Sequence, residues 1–404
     1  MDIKNAQTHK SSPQALDPTF GTDGIVSFSD TLGANAVAAS AQNKSGELLF
    51  CGYQLDQKPV QWIIKLHASG KVDTSFGTGG FVGFDVGRLD GSRVAMSVTI
   101  GICQTDTRIL VVGWTEDKAL EELTVVGVRI DGSIDSDFGT NGVKRLPIGN
   151  EGESSVRSKA NAGTEAGTLY YHNALIIPTQ GAVVRLNEEG ELDTSFNGTG
   201  ILPIKNGINM TIGVQPADNK ILIGNNNNSE KNTVEIYRYT DTGIIDETFG
   251  RNGVYKTTVP EHTISTLVAD LNGVITYLGV PDQNNAHHFL AQLLGDGTVD
   301  PDFNGGERVE LRLLNNNIYT YDGYMTIDEQ NRRHVAVTSL TDTGGVGVLL
   351  RYLRNGSLDV TLGDGGMFVT PLGDGRGIYL RGMGKLAMVG QTVLASTGQV
   401  VGII

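Results

Sequence analysis

The chain has 404 residues, of which 54 are Gly, 11 Pro and 2 Cys; 19% are charged and 39% hydrophobic. That is too apolar for a disordered chain and too polar for a membrane bundle, and no run of about 18 apolar residues is present to span a bilayer. A net charge of −14 repels polyanions, which disfavours nucleic acid and anionic lipid as partners and helps to keep a β-rich surface in solution.

In chain order, residues 1–13 (MDIKNAQTHKSSP) read as a polar, disordered tail. They hold neither an apolar stretch nor a small-residue cleavage site, so they do not read as a secretory signal. The expected location is the cytoplasm, or outside the cell by a route that leaves no leader. Residues 14–404 read as a single domain built on one recurring motif. Its seven copies are LDPTFGTDG from Leu16, VDTSFGTGG from Val72, IDSDFGTNG from Ile134, LDTSFNGTG from Leu192, IDETFGRNG from Ile245, VDPDFNGGE from Val299 and LDVTLGDGG from Leu358. The aspartates, Asp17, Asp73, Asp135, Asp193, Asp246, Asp300 and Asp359, are spaced by 53 to 62 residues.

Each motif position has a physical reading. A short carboxylate accepts a hydrogen bond from an amide two or three residues on and closes a tight turn. Phe20, Phe76, Phe138, Phe196, Phe249 and Phe303, with Leu362 in the last copy, are buried anchors between units. The next residue is always Gly or Asn, the two that best tolerate a left-handed backbone, so Asn197 and Asn304 are expected at positive φ. Copy six departs: Glu307 stands where the others have a second Gly, and its spacing slips by one residue.

Short Val- and Ile-rich runs fill the rest of each unit. In the second they are RVAMSVTIG, RILVVGW, LTVVGVRI and, after the motif, GVKRL. A Gly three residues before the motif Asp marks the turn leaving the third strand in every copy but the first, which has Gln14. The only helical expectation is a turn or two in TEDKALEEL (115–123). Cys51 and Cys103 lie in strand-like apolar runs and read as reduced, half-buried core thiols, too few for a disulfide scaffold.

Seven units of four strands predict an all-β fold, a seven-bladed β-propeller of four-stranded blades. The sequence opens on a motif and one strand (GIVSF, 24–28) and closes on a third strand (QVVGII, 399–404). The ring is therefore expected to close with an N-terminal outer strand, residues 24–30, on the C-terminal three; a linear solenoid would leave two bare edges. The LDxxFGxxG motif, its preceding strand and Gly turn, and the KILIG segment (220–224) resemble the delta-60 repeat of bacteria, over roughly residues 14–404. The resemblance implies a propeller-like, often surface-associated or secreted protein and carries over no catalytic residue.

The chain offers few signs of chemistry. Its seven histidines form no HExxH or HxH pattern, and there is no CxxC, GxSxG or phosphate loop. His287 and His288 are neighbours, so on a strand they point to opposite faces. No metal and no cofactor is expected, with calcium at the Gly-Asp runs 363–366 and 373–377 the alternative to plain turns. The seven aspartates read as turn caps rather than a cation ring.

The segments joining one unit to the next vary between copies and carry the candidate ligand-binding residues at the channel mouth: Arg88, Asp90, Glu153, Lys205, His262, Tyr321, Asp374 and Arg376. The first functional reading is a non-catalytic, monomeric binding module for a protein or glycan. One alternative is a hydrolase or lyase acting on a sugar or lactone, with His262 and channel-mouth carboxylates as acid and base. The other is a multivalent lectin, disfavoured because Trp62 and Trp114 are the only tryptophans and no aromatic recurs seven-fold in exposed positions.

Overall fold

The structure is a computed structural model that describes residues 16–28, 36–43, 45–54, 60–92, 96–117, 120–147, 169–179, 181–205, 207, 210–226, 233–258, 262–281, 287–311, 318–341, 344–373, 377–382, 385–391 and 398–404. Their strands form seven antiparallel sheets of four, arranged in a ring as a β-propeller. Blades 1 to 6 each take four strands consecutive in sequence, within 36–84, 96–147, 169–203, 211–258, 262–310 and 318–369. Blade 7 takes Gly377–Gly382, Lys385–Gln391 and Gly398–Ile403, and its fourth strand is Ile25–Ser27 from the other end of the chain.

That closure matches the expected one. Ile25, Val26 and Ser27 pair with Val401, Val400 and Gln399. Behind the pairing, Phe28, Phe50 and Trp62 share one core with Ala387 and Val400, so the seam between blades 7 and 1 is packed like the others. Deleting residues 1–30 would strip the Gly398–Ile403 strand of its outer neighbour and leave a bare hydrogen-bonding edge. The expected result is aggregation, read by light scattering; a monodisperse product with unchanged melting would contradict the closure.

The motif sits between the third and fourth strands of each blade. The six motif Phe side chains are at most 2% exposed, and Leu362 is 3% exposed. The rings of Phe20, Phe138, Phe196, Phe249 and Phe303 reach the Gly of the turn that leaves the third strand of the following blade. A Cβ on Gly190 would come within 2.5 Å of the Phe138 ring, and one on Gly297 within 2.7 Å of Phe249, so those turns need Gly for close approach as well as for positive φ. The residue after the Phe donates its amide across the same seam: Gly77 to Asp131 O at 2.7 Å, Asn197 to Thr242 O at 2.9 Å, Gly250 to Asp296 O at 2.7 Å.

Asn197 and Asn304 have φ of 50° and 48°, alongside Gly21, Gly77, Gly139, Gly250 and Gly363 at 51° to 58°. Asn197→Val is expected to cost about 1–2 kcal/mol, because a β-branched residue is strained in this region. Asn197→Gly is expected to stay close to wild type in denaturant melts, although it also gives up the bond from Asn197 Nδ2 to Ile201 O at 2.8 Å. Copy six closes one residue early: Gly306 donates to Phe303 O, three residues back, where Gly253 donates to Phe249 O, four back.

Two local expectations need correction. The described residues of 115–123, Thr115–Asp117 and Leu120–Leu123, are strand and not helix. They continue the hairpin of Arg108–Asp117 and Leu120–Arg129, pairing Thr115 with Glu122, Glu116 with Glu121 and Asp117 with Leu120. The buried Thr115–Thr124 hydroxyl contact at 3.0 Å and the apolar ladder behind it override the helix propensity of Ala, Leu and Glu. A helical turn is instead found at Val86–Leu89, in the segment between blades 1 and 2, where the Asp85 carboxylate accepts from Arg88 N. The cysteines are fully rather than half buried, in the cores of two different seams. Burial pushes the Cys103 thiol up to about 12, so it stays protonated and inert.

Candidate functional site

Antiparallel blades put their loops on two faces. The motif and the turn between first and second strands share one face; the segments joining blades and the turns between second and third strands share the other. The motif face carries the repeated charge. Asp17, Asp73, Asp193, Asp246 and Asp359 each accept the amide and the hydroxyl of the Ser or Thr two residues on, and Asp300 accepts the amide of Asp302. This is the capping role read from the sequence.

The second carboxylate oxygen has another use. Lys65, Arg185, Arg238 and Arg351 stand eight residues before Asp73, Asp193, Asp246 and Asp359, on the third strand, and pair with them at 2.7 to 3.3 Å. In copy six Gln292 takes that place and bonds Asp300 at 2.6 Å. Where the third-strand residue that accepts the Asp amide is Gly (Gly127 for Asp135, Gly402 for Asp17), the cation comes from elsewhere: Arg129 and Arg108 reach Asp135 at 3.3 and 3.8 Å, and Lys385 reaches Asp17 at 3.0 Å. Burial opposes ionisation of Asp246, but Lys220, Thr248 and Arg238 hold its carboxyl well below the ordinary range. The same balance lowers Asp73, Asp193 and Asp359. Arg185 and Arg238 also stack 4.8 Å over Phe196 and Phe249 and bond carbonyls of the following blade, Asp241 O and Gly295 O. Carboxylate, cation and ring thus form one clamp between blades. The K/R-x7-D spacing was present in the sequence and carries this signal.

Other titratable groups are held similarly. Among the described residues, Glu47, His67 and Asp73 place their ligand atoms within 4.8 Å of one another. Lys65 already stands there, 3.0 Å from Glu47 and 3.3 Å from Asp73, so the carboxylates have a cation of their own. His334 is buried and 2.8 Å from the Asp328 carboxylate, and burial outweighs that neighbour to lower its basicity. His287 is exposed and His288 buried; both precede the strand Phe289–Leu293. Asp364, in the first Gly-Asp run, lies in the seventh motif turn, where its amide donates to Met367 O at 2.8 Å.

The described candidates, Arg88, Asp90, Lys205, His262 and Tyr321, lie in segments that join blades or in the first strands that follow them. Arg88 has a side chain 75% exposed, 3.5 Å from Asp85. Asp90 is half-buried, its side chain held by Arg145 at 2.5 Å; Arg145 also bonds Ser92 at 2.7 Å, tying the segment between blades 1 and 2 to the outer strand of blade 2. Burial again opposes, and Arg145 again wins, so the Asp90 carboxyl is lowered. Arg145 was not singled out in the sequence, because nothing in its spacing marks a partner 55 residues away. Lys205 is exposed after the fourth strand of blade 3. His262 opens the first strand of blade 5 opposite Pro281, and Tyr321 lies in the first strand of blade 6 at a register shift between Tyr319 and Gly323. Glu153, Asp374 and Arg376 lie outside the described residues, as do parts of most of the variable segments. Arg88 and Asp90 share one joining segment, and Asp90 is committed to Arg145.

A family model described as "Domain of unknown function (DUF5122) beta-propeller" matches residues 177–196. No curated protein matches the chain. Among solved structures, the chain is similar to the Pan2 WD40 domain of Neurospora crassa at 12% identity and a TM-score of 0.50, covering 98% of this chain and 97% of that one. It is also similar to the polysaccharide lyase Uly1 (11% identity, TM-score 0.44, 91% and 90% covered) and to the β-propeller domain of the Trilobed protease from Pyrococcus furiosus (10%, 0.44, 90% and 95%).

Proposed function

We propose that this chain is a non-catalytic binding propeller of a bacterium, which engages a protein or cell-surface glycan through the loops joining its blades. The observation that carries the reading is how the repeated chemistry is spent. The motif carboxylates, their cations and the motif rings are engaged with each other and with the next blade. What varies between copies, and so can encode a partner, lies on the opposite face, where Arg88 and Lys205 are exposed. The resemblance of the motif to the delta-60 repeat and the propeller family match support the propeller frame on which this reading rests.

The test is a glycan array and an affinity capture from bacterial lysate, each run with the wild-type chain and with Arg88→Ala/Lys205→Ala. The expected result is one recurrent ligand, lost or weakened in the double variant, whose stability stays within about 0.5 kcal/mol of wild type as for other exposed sites. Turnover of a sugar or lactone by the wild-type chain, abolished in His262→Ala, would replace this reading with the enzymatic one.

A further inference from the structure

In six blades the third and fourth strands share the same apolar pair beside the motif: Ile64 with Phe81, Val126 with Val143, Val184 with Ile201, Tyr237 with Val254, Leu350 with Met367, and Val401 with Ile25. Blade 5 lacks it. Its ladder stops at Leu290 with Val309, the third-strand residue is Ala291, and the fourth-strand residue at that register is Arg308. This is also the copy whose motif turn closes one residue early. The departures coincide at one place, the seam of blades 4 and 5, and leave a cleft of about 380 Å³.

The lining of the cleft is chemically specific. Tyr277, across the ladder from Ala291, stands on one side, and Tyr255 of blade 4 faces it with the two hydroxyls 3.5 Å apart. Phe289 meets Tyr277 edge to face at 6.0 Å. The Arg308 guanidinium lies 5.3 Å over the Phe289 ring, with Glu310 3.9 Å away and Glu307 beside it. Aromatic walls favour a flat ring, the tyrosine hydroxyls supply hydrogen bonds, and a guanidinium pairs with a carboxylate in a forked geometry. The volume lies near the lower end of small-molecule sites, about 300–1,000 Å³.

We propose that this cleft binds a small planar aromatic acid, with its ring against Tyr255 and Ala291, which are both partly exposed in the cleft, and its carboxylate on Arg308. The site uses none of the candidate residues of the joining segments. Glu307 at the rim restricts the ligand to a single negative charge.

The test is calorimetric titration of the full chain with benzoate and indole-3-acetate, each beside its neutral amide. The acids are expected to bind, with the amides about tenfold weaker for loss of the charged partner. Arg308→Gln should bring acid and amide to the same affinity. Ala291→Leu, which restores the side chain blade 6 carries, should abolish binding of both. If that variant fails to fold, Ala291→Val, as in blades 2 and 3, gives the same readout. Equal affinity for acid and amide in the wild-type chain, undiminished binding in the filled variant, or no saturable binding of either acid would overturn the proposal. Arg88→Ala/Lys205→Ala is expected to leave acid binding unchanged, which separates failure here from failure of the loop reading.

Discussion

Phe138→Ala is expected to destabilise the protein by about 3–5 kcal/mol, since it removes a fully packed ring and leaves a cavity between two rigid blades. The ring lies against Gly127 in its own blade and Gly190 in the next, with Arg108 at 5.3 Å and Lys144 at 4.8 Å over it. It shares a core with Leu175, Ile177, Val184 and Leu186 of blade 3. Neither glycine can advance into the space, so collapse is limited. The same loss is expected for Phe20, Phe76, Phe196 and Phe249, which fill equivalent seams, and a smaller one for Phe303, which already borders the cleft of blade 5. Urea melts of the six variants check this. Shifts within about 0.5 kcal/mol of zero would mark the rings as exposed contacts and the motif as a binding element.

Asp246→Ala is expected to cost a similar amount, about 3–5 kcal/mol, because it strands a buried guanidinium. Asp246 lies 2.5 Å from Lys220 and 2.9 Å from Arg238, and Arg238 is itself tied to blade 5. The pairing also sets the acid response. Asp73, Asp193, Asp246 and Asp359 bind a proton more weakly folded than unfolded. Their contribution is therefore complete above the unfolded carboxylate pKa of about 4 and is lost as pH falls below it. Urea midpoints should hold from pH 7 to about 5 and drop steeply towards pH 3, less steeply in Asp246→Ala. A flat profile would show that the carboxylates do not depend on their cations for stability.

The frame was legible because it repeats. Seven aligned copies gave the blade count, the Gly/Asn position and the Phe anchor, and the matching fragments at 24–28 and 399–404 gave the closure. The clamp was written there too, as Lys65, Arg185, Arg238 and Arg351 eight residues before an Asp, but period and turn chemistry draw attention to the turn and not to the strand that crosses behind it. Residues 115–123 misled because a short Ala-, Leu- and Glu-containing run is locally helical, and only its cross-strand partners decide otherwise. The loop face was legible only as variation. A pair such as Asp90 and Arg145 is set by how one blade leans on its neighbour, which no local pattern encodes. The cleft in blade 5 was half visible, as the irregular spacing before Glu307; its aromatic walls come from two blades that only the ring brings together.

Amide hydrogen exchange tests the central claim, that the repeated motif is frame and not contact surface. The amides of Gly77, Asn197 and Gly250 bond carbonyls of the next blade, and those of Phe76, Phe196 and Phe249 bond their own motif turns. In the free protein all six are predicted to exchange as slowly as the central strands of the blades, opening only with global unfolding. Adding a captured partner is predicted to leave them unchanged and to slow exchange only in the segments joining blades. Rapid exchange at these amides in the free protein, slowed when the partner binds, would contradict the account.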